Sequence, residues 1–249
     1  MQAVPYRRRL TGSFLAHLFK ATAQQHHRAL AATIARFVPA EAVVFDVGAH
    51  AGQYTKLFAR AASAGRVYAV EPGSYARSIL RTVVWLRRLG NVSVLPMALG
   101  ADHTLDTLSV PVKAHGSYGF GLSHLGRPQD RWAAVEQEVV VVTTLDAVAA
   151  ALSIDRVDFI KADIEGWELA LLRGAENTLR RFRPAMLIEL SQEHLARAGD
   201  RIEAVFAFLA ARGYGACELT PDGVLLPVDA PRDGDFWFIP SDNDRTNDA

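Results

Sequence analysis

Val43-Val44-Phe45-Asp46-Val47-Gly48-Ala49-His50-Ala51-Gly52 is an apolar, β-branched run that ends in an acid and two spaced glycines. A helix-like segment over 53–62 follows it. This pattern predicts a buried strand turning sharply into a helix, the ligand-binding corner of a doubly wound α/β sheet. Outward from that corner, strand and helix patterns alternate. Strands are expected over 43–47, 66–70, 92–96, 157–162 and 185–190, and helices over 53–62, 75–88, 144–152, 167–182 and 202–212. Such alternation implies right-handed crossovers and a mostly parallel sheet. The last two strands, 214–219 and 235–239, are joined by a turn at Pro221-Asp222-Gly223 without a helix. They are expected to be antiparallel, since a parallel crossover needs about a dozen residues or more.

Asp46 bears on the ligand. A dinucleotide site places a pyrophosphate at this turn, on backbone N–H groups and the helix dipole, and a carboxylate there would repel it. The same carboxylate suits the ammonium and sulfonium charges of S-adenosylmethionine. Gly48 and Gly52 fit D-x-G-x-x-x-G, and G-x-G-x-x-G is absent. Glu71, 19 positions past Gly52 at the end of the second strand, matches an acid that accepts hydrogen bonds from a ribose diol.

The chain of 249 residues suits one large domain with a sizeable core. Lys+Arg equals Asp+Glu at 27 each, so the overall balance points to neither nucleic acid nor an anionic membrane. One cysteine, Cys217, forbids an intramolecular disulfide and reads as a small buried hydrophobe. No apolar run approaches the roughly 20 residues of a membrane span, and no signal peptide is recognised, so a cytoplasmic location is expected.

Residues 1–38 read as two amphipathic helices, through Phe14, Leu15, Leu18 and Phe19 and then Leu30, Ile34 and Phe37. They form either a cap on the main domain, 39–240, or a lid or dimerisation arm. Residues 101–143 break the rhythm. They read as a β-hairpin-like insertion whose Gly/Ser/His loop overhangs the site. Residues 241–249 form a polar tail expected to be disordered.

Four carboxylates fall at strand ends on one edge: Asp46, Glu71, Asp163 and Glu189. The segment Asp158-Phe159-Ile160-Lys161-Ala162-Asp163-Ile164-Glu165-Gly166-Trp167-Glu168 delivers Lys161, Asp163 and Glu165 to that edge. Glu165 and Glu168 are assigned to capping and loop geometry near a helix N-terminus. Asp163 is the better candidate to act on a substrate, and Asp163 and Glu189 are the candidate bases. His115, His124 and His194 are alternative bases, each more simply read as a solvated loop histidine. No His/Cys cluster has zinc spacing, and no metal is expected.

These motifs occur in a fixed order. The first corner is followed by Val70-Glu71-Pro72, Ala98-Leu99-Gly100 and Thr144-Leu145-Asp146. Then come Ile160 to Glu168, Leu172-Arg173-Gly174-Ala175, Arg183-Pro184 and Ile188-Glu189. Over roughly residues 40–240 the chain resembles the FkbM family of S-adenosylmethionine-dependent methyltransferases. The resemblance implies a class I methyltransferase (Rossmann-like) sheet and O-methylation of a hydroxyl on a small molecule or saccharide. It implies that Asp46, Gly48, Ala49 and Gly52 hold the methionyl part, Glu71 the ribose and Ala98 with its neighbours the adenine. Asp163 would lie near the transferred methyl. The family usually has Asn where this chain has His50, and a smaller residue where it has Trp167. Two other readings compete: an NAD-dependent oxidoreductase, and a binding module that kept the fold without the chemistry.

Overall fold

A computed structural model describes residues 12–112, 124–125 and 134–241. Within them the chain runs α1 (Gly12–Ala23), a short 3-10 turn, α2 (Ala31–Phe37), β1 (Val43–Val47), α3 (Gln53–Ala61), β2 (Arg66–Val70), α4 (Ser74–Leu86) and β3 (Val92–Leu95). Then come β4 (Ala98–Leu99), β5 (Thr104–Val112), β6 (His124–Leu125), β7 (Ala134–Thr143), α5 (Leu145–Ala151) and β8 (Phe159–Ala162). The chain continues through α6 (Glu168–Arg173), α7 (Glu176–Phe182), β9 (Ala185–Leu190), α8 (Gln192–Arg197), α9 (Ile202–Ala210), β10 (Tyr214–Leu219), β11 (Leu225–Pro227) and β12 (Gly234–Pro240).

The main sheet has the order β11-β10-β12-β9-β8-β1-β2-β3. Strands β9, β8, β1, β2 and β3 are mutually parallel, while β12 runs antiparallel to β9 and to β10. The chain leaves β1 toward β2 and β3, then returns to build β8 and β9 on the other side. The strand order therefore reverses between β1 and β8, where open α/β sheets bind ligands. Side chains alternate along the strands, and the two faces carry different cores. Phe45, Val47, Ile160, Ala162 and Ile188 pack with α5, α6, α7 and α9. Val44, Phe159, Leu187 and Trp237 pack with α2 and α3 through Phe37 and Phe58.

The segment over 167–182 is two helices rather than the single one expected. Gly174 marks the break, because a Cβ there would lie 1.9 Å from the Gly100 carbonyl oxygen. The Gly174 carbonyl accepts the Asp146 N–H at 3.0 Å, and Asp146 caps α7 by accepting from the N–H groups of Asn177 and Thr178. A long-range contact thus overrides an unbroken helical period. Helix α8 and strand β11 have no counterpart in the sequence-based expectation. Cys217 lies half-buried on β10 against the α2–α3 core.

The 101–143 insertion contributes to a separate four-stranded sheet, β4-β7-β5-β6. Its long β5–β7 pair is the expected hairpin, but β7 also pairs parallel with the two residues of β4. The loop residues 115–121, including His115, the N-terminal 1–11 and the tail from 242 onward lie outside the described residues.

The N-terminal helices are packed on the domain. Phe14 meets Tyr75 edge-on at 5.9 Å between ring centres, and His17 Nδ1 lies 2.8 Å from the Tyr75 hydroxyl. Lys56 of α3 donates to the carbonyls of Ala21 and Gln24 at 2.5 and 2.7 Å, closing the end of α1. Burial lowers the Lys56 pKa to about 8. Among the described residues no helix is long and apolar enough to cross a membrane.

Candidate active site

At the end of β1 the backbone turns under the next strand. The N–H groups of Gly48 and Ala49 both donate to the Val70 carbonyl, and Asp163 N–H donates to the Val47 carbonyl. Gly48 has φ +74, and a Cβ there would stand 1.9 Å from the Asp163 carbonyl oxygen, so only glycine fits this crossing. His50 follows at φ +48. Asn and His are among the few side chains enriched in that left-handed region, which accounts physically for His at a place where Asn is usual in the family it resembles.

Glu71 is 4% exposed and faces this turn. Its Oε2 accepts the His50 N–H at 2.9 Å and its Oε1 the Gly73 N–H at 2.8 Å. Burial raises its pKa against these hydrogen bonds and the charge of His50. Each oxygen keeps a lone pair free, as a diol-binding acid needs. A pocket opens here. Gly48, His50, Glu71, Ala98 and Asp163 line its polar side, and Leu99, Leu108, Leu125, Ile164 and Trp167 its apolar side. Leu108 and Leu125 come from the small sheet, so the insertion does wall the site.

Asp46 is fully buried and is not on the pocket wall. Its side chain points to the α3 face, as its alternation with Val44 requires. There Oδ2 accepts from Thr55 Oγ1 at 2.5 Å, while Oδ1 lies 4.0 Å from Lys161 Nζ and has no hydrogen-bond partner. Burial raises its pKa, and Lys161 and Thr55 oppose that rise. Ala49 is packed against Ala69 and Leu80, and Gly52 caps α3. Of the residues expected to hold a cofactor, Gly48, Glu71 and Ala98 line the pocket, whereas Asp46, Ala49 and Gly52 support the turn from behind.

Strand pairing then assembles a polar row on the same α3 face. Asp46 and Lys161 are register partners on β1 and β8, and Glu189 and Asp235 are partners on β9 and β12. Asp163, one step beyond β8, bridges the two pairs. Lys161 is 4% exposed. Its Nζ lies 3.2 Å from Asp163 Oδ2, donates to the Gly48 carbonyl at 3.3 Å, and stands 4.9 Å over the Tyr54 ring. His27, from the turn between α1 and α2, stacks on Tyr54 at 4.2 Å. Burial lowers the His27 pKa, and the charge of Lys161 adds to this.

Burial alone would raise the Asp163 carboxyl. The charges of Lys161 and His50 and the Lys161 hydrogen bond outweigh it and hold the group below its ordinary value. Glu189 moves the other way, to about 7, through desolvation and the charges of Asp163 and Asp235. A proton between the two therefore favours Glu189 over Asp163. Glu165 sits at φ +57 with Oε2 2.8 Å from His194 Nδ1, on α8 rather than in a loop. Glu168 Oε1 accepts the N–H groups of Ile164 and Gly166 at 3.2 Å each, closing the loop as a capping acid does.

Tyr54, His27 and Trp167 join the site although the sequence does not single them out for it, and Lys161 reaches the edge the sequence assigns it. A period-2 reading of 159–163 puts Lys161 beside Asp163, but its partners on β1 and α3 are tertiary.

A doubly wound sheet with its pocket at the strand-order switch defines a nucleotide-type cofactor enzyme of the class I methyltransferase architecture. The family model for the methyltransferase FkbM domain matches residues 46–215, and the chain belongs to that family. S-adenosylmethionine is its cofactor, which sets aside the hydride-transfer reading. The fold is similar to the FkbM methyltransferase of Methylobacillus flagellatus KT, with 20% identity and a TM-score of 0.52. That match covers 80% of this chain and 44% of the other, so the chain spans less than half the length of that neighbour. It is also similar to the Bacillus cereus O-methyltransferase solved with SAH, at 15% identity and a TM-score of 0.50, over 94% and 89% of the two chains. No curated protein matches the sequence.

Proposed function

We propose that the protein moves a methyl group from S-adenosylmethionine to a hydroxyl oxygen of a small-molecule or saccharide acceptor. The observation that carries this reading is Asp163, which lines the Glu71 pocket with its carboxylate 3.2 Å from the buried Lys161 ammonium.

The pocket's chemistry fits the cofactor. It offers a buried acceptor carboxylate for a diol at Glu71 and apolar walls at Leu99 and Trp167 for a flat base. When bound, the cofactor supplies an electrophilic methyl on a positively charged sulfur. Gly48, Glu71 and Ala98 bind and orient it. Asp46 positions the turn and Lys161 rather than touching the ligand, because its carboxylate has no exposed surface.

On the acceptor side, Asp163 accepts the hydroxyl hydrogen and aligns the oxygen for in-line displacement. An oxygen that gains a methyl becomes strongly acidic, so even a carboxylate of low pKa takes its proton. Glu189, at about 7, is tuned to receive that proton near neutral pH. Lys161 keeps Asp163 ionised and in place. The Bacillus cereus neighbour is described as an O-methyltransferase, which agrees with an oxygen acceptor.

The test is S-adenosylhomocysteine release with a panel of hydroxylated acceptors, with the product's methylated atom assigned by NMR. An O-methyl product whose formation falls at least tenfold in Asp163→Asn supports the reading. Methylation of nitrogen or carbon alone, or full turnover by Asp163→Asn, rejects it.

A further inference from the structure

The zero net charge conceals a segregation. Residues 1–101 hold 13 of the 27 Lys and Arg but only three acids, Glu41, Asp46 and Glu71. Asp46 and Glu71 are buried, which leaves Glu41 as the one exposed acid among the described residues of that half. This half builds β1, β2, β3 and α1 to α4, one end of the sheet. The remaining residues carry 24 acids against 14 bases, and their strands β8 to β12 build the other end.

The basic end also carries exposed apolar side chains. Helices α1 and α4 contain no acid, only Lys20, Arg77 and Arg81, and Arg87 and Arg88 follow directly. The same helices and their ends expose Phe19 at 72%, Trp85 at 75%, Leu15 at 56% and Leu86 at 47%. Right-handed crossovers place α3 and α4 on one face of the sheet. Helix α1 packs onto α4 through Phe14, Ala21, Ile79 and Val83, and Arg87 donates to the Thr22 carbonyl. The outward sides of α1 and α4 thus look away from the sheet on one face of the molecule.

We propose that this α1–α4 face docks on an anionic lipid bilayer. A helix lying in a membrane interface combines aromatic and leucine side chains with Lys and Arg, as this face does. Arginines pair with lipid phosphates, while Trp and Phe settle at the headgroup level. A nucleic acid would use the cations and stack on the aromatic rings, but it offers nothing to the exposed Leu15 and Leu86. A symmetric dimer through this face would set basic surface against basic surface. Since no described helix can span a membrane, the protein would lie on the bilayer, and the association is independent of the reaction at the pocket.

The experiment is flotation of the full chain with phosphatidylcholine vesicles, with and without a third of phosphatidylglycerol. Binding is expected to the anionic vesicles only, weakening about tenfold or more as salt is raised and the charges are screened. Phe19→Glu and Trp85→Glu should each cut that binding about tenfold or more while binding S-adenosylhomocysteine like the parent, which certifies the fold. Equal binding to neutral vesicles, no binding to either, or unimpaired flotation of both variants overturns the proposal. So does finding that the two variants lose binding to a single-stranded RNA, or lose self-association by light scattering, without any change in flotation.

Discussion

Lys161 and Asp163 leave β8 on the same face, and the lysine ammonium stands 3.2 Å from Asp163 Oδ2 while lying 4.0 Å from the buried Asp46. One cation therefore ties the glycine turn after β1 to the Asp163 carboxylate on the pocket wall. Burial opposes its charge, but Asp163 and Asp46 outweigh that and raise its pKa.

Lys161→Met removes the partner of a fully buried carboxylate. The expected cost is about 3–5 kcal/mol in chemical denaturation, since the uncompensated charge remains. Adding Asp46→Asn should restore part of it, giving a coupling energy of about 1 kcal/mol or more in the double-mutant cycle. Strict additivity would mean that the two do not act as a pair.

Gly48→Ala places a methyl against the Asp163 carbonyl at a positive φ. Stability should fall by about 2 kcal/mol or more, and affinity for S-adenosylhomocysteine about tenfold or more, by calorimetry. Gly90→Ala is the control, with nothing within 4 Å of the added carbon, and should stay within about 0.5 kcal/mol.

Glu71→Gln keeps the shape but turns one acceptor into an NH2 donor facing a backbone N–H, at His50 or at Gly73. A loss of about 1–3 kcal/mol is expected, together with weaker S-adenosylhomocysteine binding. Titration calorimetry showing parental affinity would remove Glu71 from the cofactor contacts.

The pH profile of turnover tests Glu189. Its pKa is raised from 4.5 to about 7, so the base form accumulates only as pH climbs through about 7, and the rate should rise over that range. Glu189→Gln should abolish the inflection.

Stability should carry a separate signature from Glu168, which is 2% exposed with Oε2 unpartnered. Burial raises its pKa from 4.5 to about 7. The folded state therefore holds a proton that the unfolded state has released. This contribution is fully present below about 4.5 and is lost as pH rises through about 7. Its size is on the order of 3 kcal/mol. Glu168→Gln keeps the hydrogen bonds to Ile164 and Gly166 and should flatten this slope in denaturation series between pH 5 and 8.

Much of the fold is readable because it is written in local patterns. The β-branched run before Asp46, the glycines after it and the helical period of 75–88 each specify an element within a dozen residues. The pairing of 214–219 with the last strand is antiparallel as expected, although the Pro221-Asp222-Gly223 turn leads into β11 and not directly into β12. Glu71 and Asp163 are legible as site residues because a strand end plus a following turn is itself a local signal. Asp46 is readable as a strand-end acid but not as a buried one, since its burial depends on Thr55 and Lys161. The unbroken helix expected over 167–182 fails for the same kind of reason, because its break answers to Gly100.

The sequence by itself determined the alternation of elements, the glycine turn and the order of motifs that marks the family, all of which depend on neighbours along the chain. Tertiary structure alone decided that Asp46, Lys161, Asp163, Glu189 and Asp235 share one face. It also decided that His27 reaches Tyr54. Strand order and register bring together residues far apart in sequence, and neither is encoded in any local window.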